Sequence, residues 1–130
     1  LRRDLDLNLI EIASSLSGTA ADPKLKLRKE GVAILDKTKK MDYVIALDQK
    51  GTRINTSGFA SKLDTYKNQG RNLAFLIGGA DGLHKSCLER ADEIWSLSEL
   101  TFPHALVRVI LTEQLYRATS ILKGHPYHRE

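Results

Sequence analysis

The stretch LAFLIGGADGLHKSCLERADEIWSLSELTFPHALVRVILTEQLYRATSIL, residues 73–122, decides the fold. It opens on an apolar run, Leu73 to Ile77, that breaks at Gly78-Gly79-Ala80-Asp81-Gly82. Three glycines there admit backbone angles closed to other residues and leave no side chain to block a ligand. A structural tight turn and a ligand loop both fit that pattern. A second apolar run, Ile94 to Leu97, gives way to the polar loop Ser98-Glu99-Leu100-Thr101-Phe102-Pro103, after which a long amphipathic pattern begins. Two strands therefore end at open loops, and in α/β sheets ligands bind outside the carboxyl ends of strands.

Upstream, Leu5 to Ile12 mostly alternates apolar and polar residues, the period of a strand, and Ser14 to Ala21 is a small, polar loop. Asp22-Pro23 is a helix start, with apolar positions continuing to about Met41. Tyr43 to Leu47 is the continuous apolar run of a buried parallel strand, stopped by a turn at Asp48-Gln49-Lys50-Gly51 that could also cover a ligand. Thr56 or Ser57 can cap a helix that runs to about Asn68 before Gly70. Strand returns at Asn72 to Ile77, helix at His84 to Ala91, strand at Glu93 to Leu97 and helix at His104 to Lys123. The alternation predicts an α/β domain, a mainly parallel sheet flanked by helices.

At 130 residues the chain fits one domain with a real core. No apolar run approaches the roughly 20 residues that span a bilayer, and the first residues lack a secretory h-region, so a cytoplasmic protein is expected. The single cysteine, Cys87, has no partner for a disulfide and no zinc-type ligand cluster, and reads as helix packing; no metal site is expected. A net charge of +4 and a pI near 9.3 are compatible with a polyanionic partner. The densest charge, Lys24 to Lys40, fits either a solvated helix face or an RNA-contacting one.

No common catalytic motif is present: no GxxxxGK[ST] loop, GxGxxG, GxSxG elbow or HExxH. The tail concentrates His125, Tyr127, His128 and Arg129, which offer proton transfer, base stacking and phosphate binding, although a frayed polar terminus has the same composition. His104 could cap the last helix or face a pocket, His84 reads as surface and Trp95 as core. Glu113 and Arg117 form an i,i+4 pair, and Arg108 shares a side of the last helix with Thr112 and Tyr116. That helix is apolar over a wide arc, which suggests burial against a partner subunit.

The segments LIGGADGLHKSCLERAD and WSLSELTFPHALVRVILTEQLYRA and the ending HPYHRE resemble the RlmH (YbeA) family, pseudouridine methyltransferases of the ribosomal large subunit within the SPOUT superfamily. The resemblance covers nearly the whole chain and is strongest from Tyr43 to Glu130. It implies a single SPOUT-type domain over residues 1–130, with a C-terminal trefoil knot, an obligate homodimer and S-adenosyl-L-methionine bound in the knot. Family members normally begin with a further strand and helix, which this sequence is expected to lack. By family pattern the cofactor contacts fall on Leu47, Gly78, Leu97, Ser98, Glu99, Leu100, Thr101 and Phe102. The implied reaction is N3 methylation of a pseudouridine in large-subunit (23S) ribosomal RNA, on the assembled ribosome. His128 is the expected general base or orienter, with Tyr127 stacking on the base and Arg129 on phosphate. Two other readings stay open: a knotted methyltransferase acting on another RNA such as tRNA, and a non-catalytic ribosome- or RNA-binding module.

Overall fold

The computed structural model describes residues 23–78, 82–98, 100, 102–124 and 127. The strand expected at Leu5–Ile12 and the loop at Ser14–Ala21 lie outside them. The described elements run α1 (Pro23–Lys37), β1 (Tyr43–Arg53), α2 (Thr56–Asn68), β2 (Leu73–Ile77), α3 (Lys85–Arg90), β3 (Glu93–Ser96) and α4 (His104–Leu122). The three strands form a parallel sheet in the order β2-β1-β3, as the alternation of elements predicts.

Period-two alternation assigns the two faces. Tyr43, Ile45 and Leu47 turn toward α2 and α4, where they join Phe59, Leu63, Tyr66, Trp95, Leu111, Leu115 and Ala118. Val44 and Ala46 turn the other way, with Leu76, Leu83 and Cys87, against Ile34 and Leu35 of α1 and Leu88 of α3. Both faces of β1 are thus covered, which is why its first half reads as unbroken apolar sequence. Three rings anchor the first face: Phe59 stacks parallel to Phe75 at 6.1 Å and meets Trp95 edge-on at 5.4 Å. Such ring pairs contribute about 0.5–1.5 kcal/mol each beyond the area they bury.

The strand order explains the placement of the helices. Crossovers between parallel strands are right-handed, so a chain that moves one way from β1 to β2 and back past β1 to β3 must use opposite faces. Accordingly α2 packs on one face and α3 on the other.

Several boundaries differ from those expected. α1 stops at Lys37, not Met41, because Thr38 closes it: its hydroxyl and amide both bond the Leu35 carbonyl, at 3.0 and 3.1 Å. α2 is capped by Asn55 rather than Thr56 or Ser57; Asn55 Oδ1 accepts from the Gly58 amide at 2.7 Å. α3 is shorter than His84–Ala91, and His84 is its cap, half-buried rather than a surface residue. Pro103 takes the cap position of α4, which makes His104 the first helical residue.

β1 also runs on through the expected turn to Arg53, but its register does not. Leu47 and Thr52 both pair with Trp95. Five residues of uninterrupted strand would separate those partners by about 17 Å. The segment from Asp48 to Gly51 must therefore absorb that length, and Asp48 Oδ2 accepts from the Lys50 amide at 3.0 Å, the side-chain-to-backbone bond of a turn.

Candidate functional site: the carboxyl ends of the strands

Register brings together residues that are far apart in sequence. Leu47 pairs with Ile77 on one side and Trp95 on the other, so Leu47, at the break in the register of β1, stands beside Gly78 and Leu97, which follow β2 and β3. The chain leaves β1 toward α2 on one face and β2 toward α3 on the other. Adjacent strand ends whose exits diverge in this way leave a crevice between them, the usual ligand position in open α/β sheets.

Each strand end is fixed by its own chemistry. Leu47 is buried in the core and Leu97 packs half-buried against it. Gly78 is required by close approach: a Cβ there would lie 2.4 Å from the carbonyl carbon of Gly82, so only glycine lets the loop return so tightly. Gly82 completes it with φ +79°, in the left-handed region. After β3 the loop is tied by serines. Buried Ser96 donates its hydroxyl to the Ser98 carbonyl at 3.0 Å, and Ser98 Oγ accepts from the Leu100 amide at 3.0 Å. Leu100 is left 68% exposed and Phe102 half-buried, an unusual outlay of apolar surface for a loop. Glu99 and Thr101 lie outside the described residues.

The tail approaches along α4. Gly124, at φ +69°, ends the helix and reverses the chain. Tyr127 then lies back on the helix: its hydroxyl donates to Glu113 Oε2 at 2.8 Å, its ring meets Tyr116 edge-on at 4.7 Å, and the Arg117 guanidinium covers it at 4.8 Å. The Glu113–Arg117 pair expected from spacing is present at 2.7 Å, and it does more than brace a helix surface, because Tyr127 closes on both partners. The Arg117 hydrogen bonds hold the Glu113 carboxyl below its ordinary range, with Tyr127 adding to the effect. His128 and Arg129 lie outside the described residues.

Residues 1–128 match the sequence family described as predicted SPOUT methyltransferase. The chain belongs to the SPOUT methyltransferase family. It is 52% identical over 125 residues to the ribosomal RNA large subunit methyltransferase H of Alkalilimnicola ehrlichii, covering 96% of this chain and 80% of that protein. Against the proteins of the same description from Thioalkalivibrio sulfidiphilus and Coxiella burnetii the identities are 49% and 46%, over 100% and 99% of this chain and 83% of each relative.

The structure gathers Leu47, Gly78, Leu97, Ser98, Leu100 and Phe102, all expected to contact a cofactor, at one end of the sheet. Tyr127 is not beside them; it sits on α4 at the level of Glu113. Among the described residues no group of three His, Cys, Asp or Glu side chains could hold a metal, and no helix is long and apolar enough to cross a membrane. Cys87 is fully buried under α1, its thiol pushed up by that burial and donating to the Gly31 carbonyl at 3.7 Å.

One cluster of the SPOUT domain was not read from the sequence. At the opposite, amino end of the sheet, Glu93 receives four donors: Tyr43 at 2.7 Å, Tyr66, Trp95 Nε1 at 2.9 Å and Lys62 at 2.9 Å. Burial alone would raise the carboxyl, but the hydrogen bonds from Tyr66, Trp95, Lys62 and Tyr43 outweigh it and pull it down to about 2. Both tyrosines are pushed up, first by burial and then by the bond to Glu93. A cleft of about 410 Å³ runs beside this cluster, lined by Thr52, Arg53, Ile54, Lys62 and Asp92 to Trp95. A carboxylate saturated by four donors is a structural fastener and has no lone pair left over for proton transfer.

Proposed function

We propose that the chain is an S-adenosyl-L-methionine-dependent methyltransferase acting on N3 of a pseudouridine in large-subunit ribosomal RNA, as a homodimer on the assembled ribosome. The observation that carries this reading is the convergence of Leu47, Gly78 and the Leu97–Phe102 loop at one end of a parallel sheet, in a chain whose close relatives bear the large-subunit methyltransferase description.

The residues suit an adenosyl group. Leu47 and Leu97 offer an apolar floor, exposed Leu100 and half-buried Phe102 offer apolar walls, and Gly78 puts no side chain at the strand end. Bound there, S-adenosyl-L-methionine supplies an electrophilic methyl group on a sulfonium. The chain's part is to hold donor and acceptor in line and to take the N3 proton, and positioning alone can supply about 7–11 kcal/mol of such a barrier. His128 is our choice for base or orienter, with Arg129 on phosphate and the tail threaded as a trefoil knot. Leu106, Val109 and Tyr116 share the side of α4 opposite core residues Leu111, Leu115 and Ala118, and are 43%, 64% and 39% exposed. That second apolar side supports a subunit contact through α4.

Incubation with labelled S-adenosyl-L-methionine and ribosomes from cells lacking the activity, followed by mass spectrometry of the large-subunit RNA, tests the proposal. One methyl group on one pseudouridine is expected. Methylation of tRNA in place of ribosomes would redirect the substrate, and cofactor calorimetry without heat would leave a binding module.

A further inference from the structure

The 17 residues from Lys24 to Lys40 hold seven of the chain's twenty basic residues and only two of its sixteen acidic ones. The segment carries +5 in a chain whose total is +4, so the remainder is slightly acidic. The charge also faces outward. Lys24, Arg28 and Lys29 are exposed on α1, and Lys37, Lys39 and Lys40 at its end. The neighbouring Leu25 and Val32 are exposed as well, at 43% and 64%. Apolar side chains thus lie among the cations of this face.

Two contacts fix where this face lies. A Cβ on Gly31 would come within 2.9 Å of His84 Cβ, and the Gly31 carbonyl accepts from Cys87, so the middle of α1 rests on the start of α3. His84 lies two residues past Gly82, on the segment that leaves the carboxyl end of β2 for α3. The other end of α1 turns through residues 38–42 into the start of β1. The helix, about 22 Å long, therefore runs from the amino end of the sheet toward the candidate cofactor loops, and Lys24, Arg28 and Lys29 stand on the half nearer those loops.

We propose that this face of α1 is the docking surface for the sugar-phosphate backbone of the RNA substrate, which the cations guide toward the strand-end loops while Leu25 and Val32 pack on ribose or an unstacked base. This rests on the RNA-methyltransferase reading above. Polyanion binding through cations has a distinct signature, since each phosphate neutralised releases counterions and steepens the salt dependence of binding.

The test compares wild type with the triple variant Lys24→Gln, Arg28→Gln, Lys29→Gln. The readouts are binding to ribosomes across a salt series, KM and kcat of methylation, and cofactor affinity by calorimetry. The triple variant is expected to bind ribosomes about tenfold more weakly, and its log–log salt slope to fall by about 2. The KM for ribosomes should rise, with kcat at saturation and cofactor affinity unchanged. Equal affinity and slope in the two proteins overturn the proposal. So does a loss confined to Val32→Ser and indifferent to salt, which would mean a protein partner on the apolar pair. Wild-type protein that binds ribosomes with the expected slope but transfers no methyl group would refute the methyltransferase reading and leave the docking face standing.

Discussion

Replacing Glu93 by glutamine tests whether the sheet is fastened at its amino end by charge. The carboxyl, only 21% exposed, sits at about 2 against an ordinary 4.5, so the folded protein holds the ionised form more tightly than the unfolded chain does. That difference corresponds to about 3 kcal/mol, a large share of the 5–15 kcal/mol typical of a whole domain. Because the folded value is depressed, that contribution is complete above about pH 4.5 and is lost as pH falls toward 2, where the folded state must also take up the proton. Glutamine mimics the protonated acid. Its carbonyl can serve Trp95 and Lys62, which can only donate, while its amide faces Tyr43 and Tyr66, whose hydroxyls can turn to accept. Glu93→Gln should therefore fold, be less stable than wild type by about 3 kcal/mol at pH 7, and converge on it between pH 4.5 and 2. Trp95 is the chain's only tryptophan and touches the group in question, so its fluorescence during urea unfolding is a direct readout. A stability gap that stays constant from pH 7 to 2 would refute the argument.

Gly78→Ala should act at the other end of the sheet. Its methyl cannot coexist with the Gly82 backbone, so unfolding should cost about 1–3 kcal/mol less and cofactor affinity by calorimetry should fall about tenfold, or about 1.4 kcal/mol. An alanine variant with full cofactor affinity would show that the loop is only a turn. Tyr127→Phe keeps the ring against Tyr116 and Arg117 but deletes the bond to Glu113. If that bond registers the tail, single-turnover methylation should slow by up to about 100-fold, as for a misplaced catalytic group, with cofactor binding unchanged; an unaltered rate would make the bond incidental.

The sheet was legible because burial on both faces writes itself into composition: Tyr43–Leu47 and Leu73–Ile77 are nearly all apolar, and their parallel pairing followed from the helices between them. The strand-end residues were legible for the same reason, since apolar runs that stop at glycine or serine mark where a strand opens on a loop. Leu47 was the exception. Composition placed it as the last residue of a strand, and only family resemblance suggested a cofactor contact. The register later set it beside Ile77 and Trp95. Helix ends were less legible, because Asn55, Thr56 and Ser57 are all competent caps and the choice depends on how α2 meets α4: Thr56 is drawn instead to Gln114, at 2.8 Å. The Glu93 cluster was not legible at all. Its donors come from positions 43, 62, 66 and 95, and nothing in a period of 2 or 3.6 announces that two strands and a helix will aim them at one carboxylate.

That cluster bears on function through the division of labour it creates along the strands. At the amino end Tyr43, Tyr66, Trp95 and Lys62 converge on Glu93, while Asp92 accepts from the Val44 amide at 2.8 Å and Asp42 from the Asn72 amide at 2.8 Å, so all three strands are pinned where they begin. At the carboxyl end the ties are local, serine to its own loop and glycine to glycine. A site built this way holds its floor, Leu47 and Leu97, by long-range contacts and leaves its walls to loops that can adjust. Loosening Glu93 should then weaken cofactor binding only as far as it weakens the fold, whereas changes in the loops should weaken binding with the fold intact. Measuring cofactor affinity and unfolding free energy for Glu93→Gln and Gly78→Ala side by side separates the two. Should Glu93→Gln lose affinity out of proportion to its stability, the fastener and the site would be one coupled device rather than two ends of a rigid sheet.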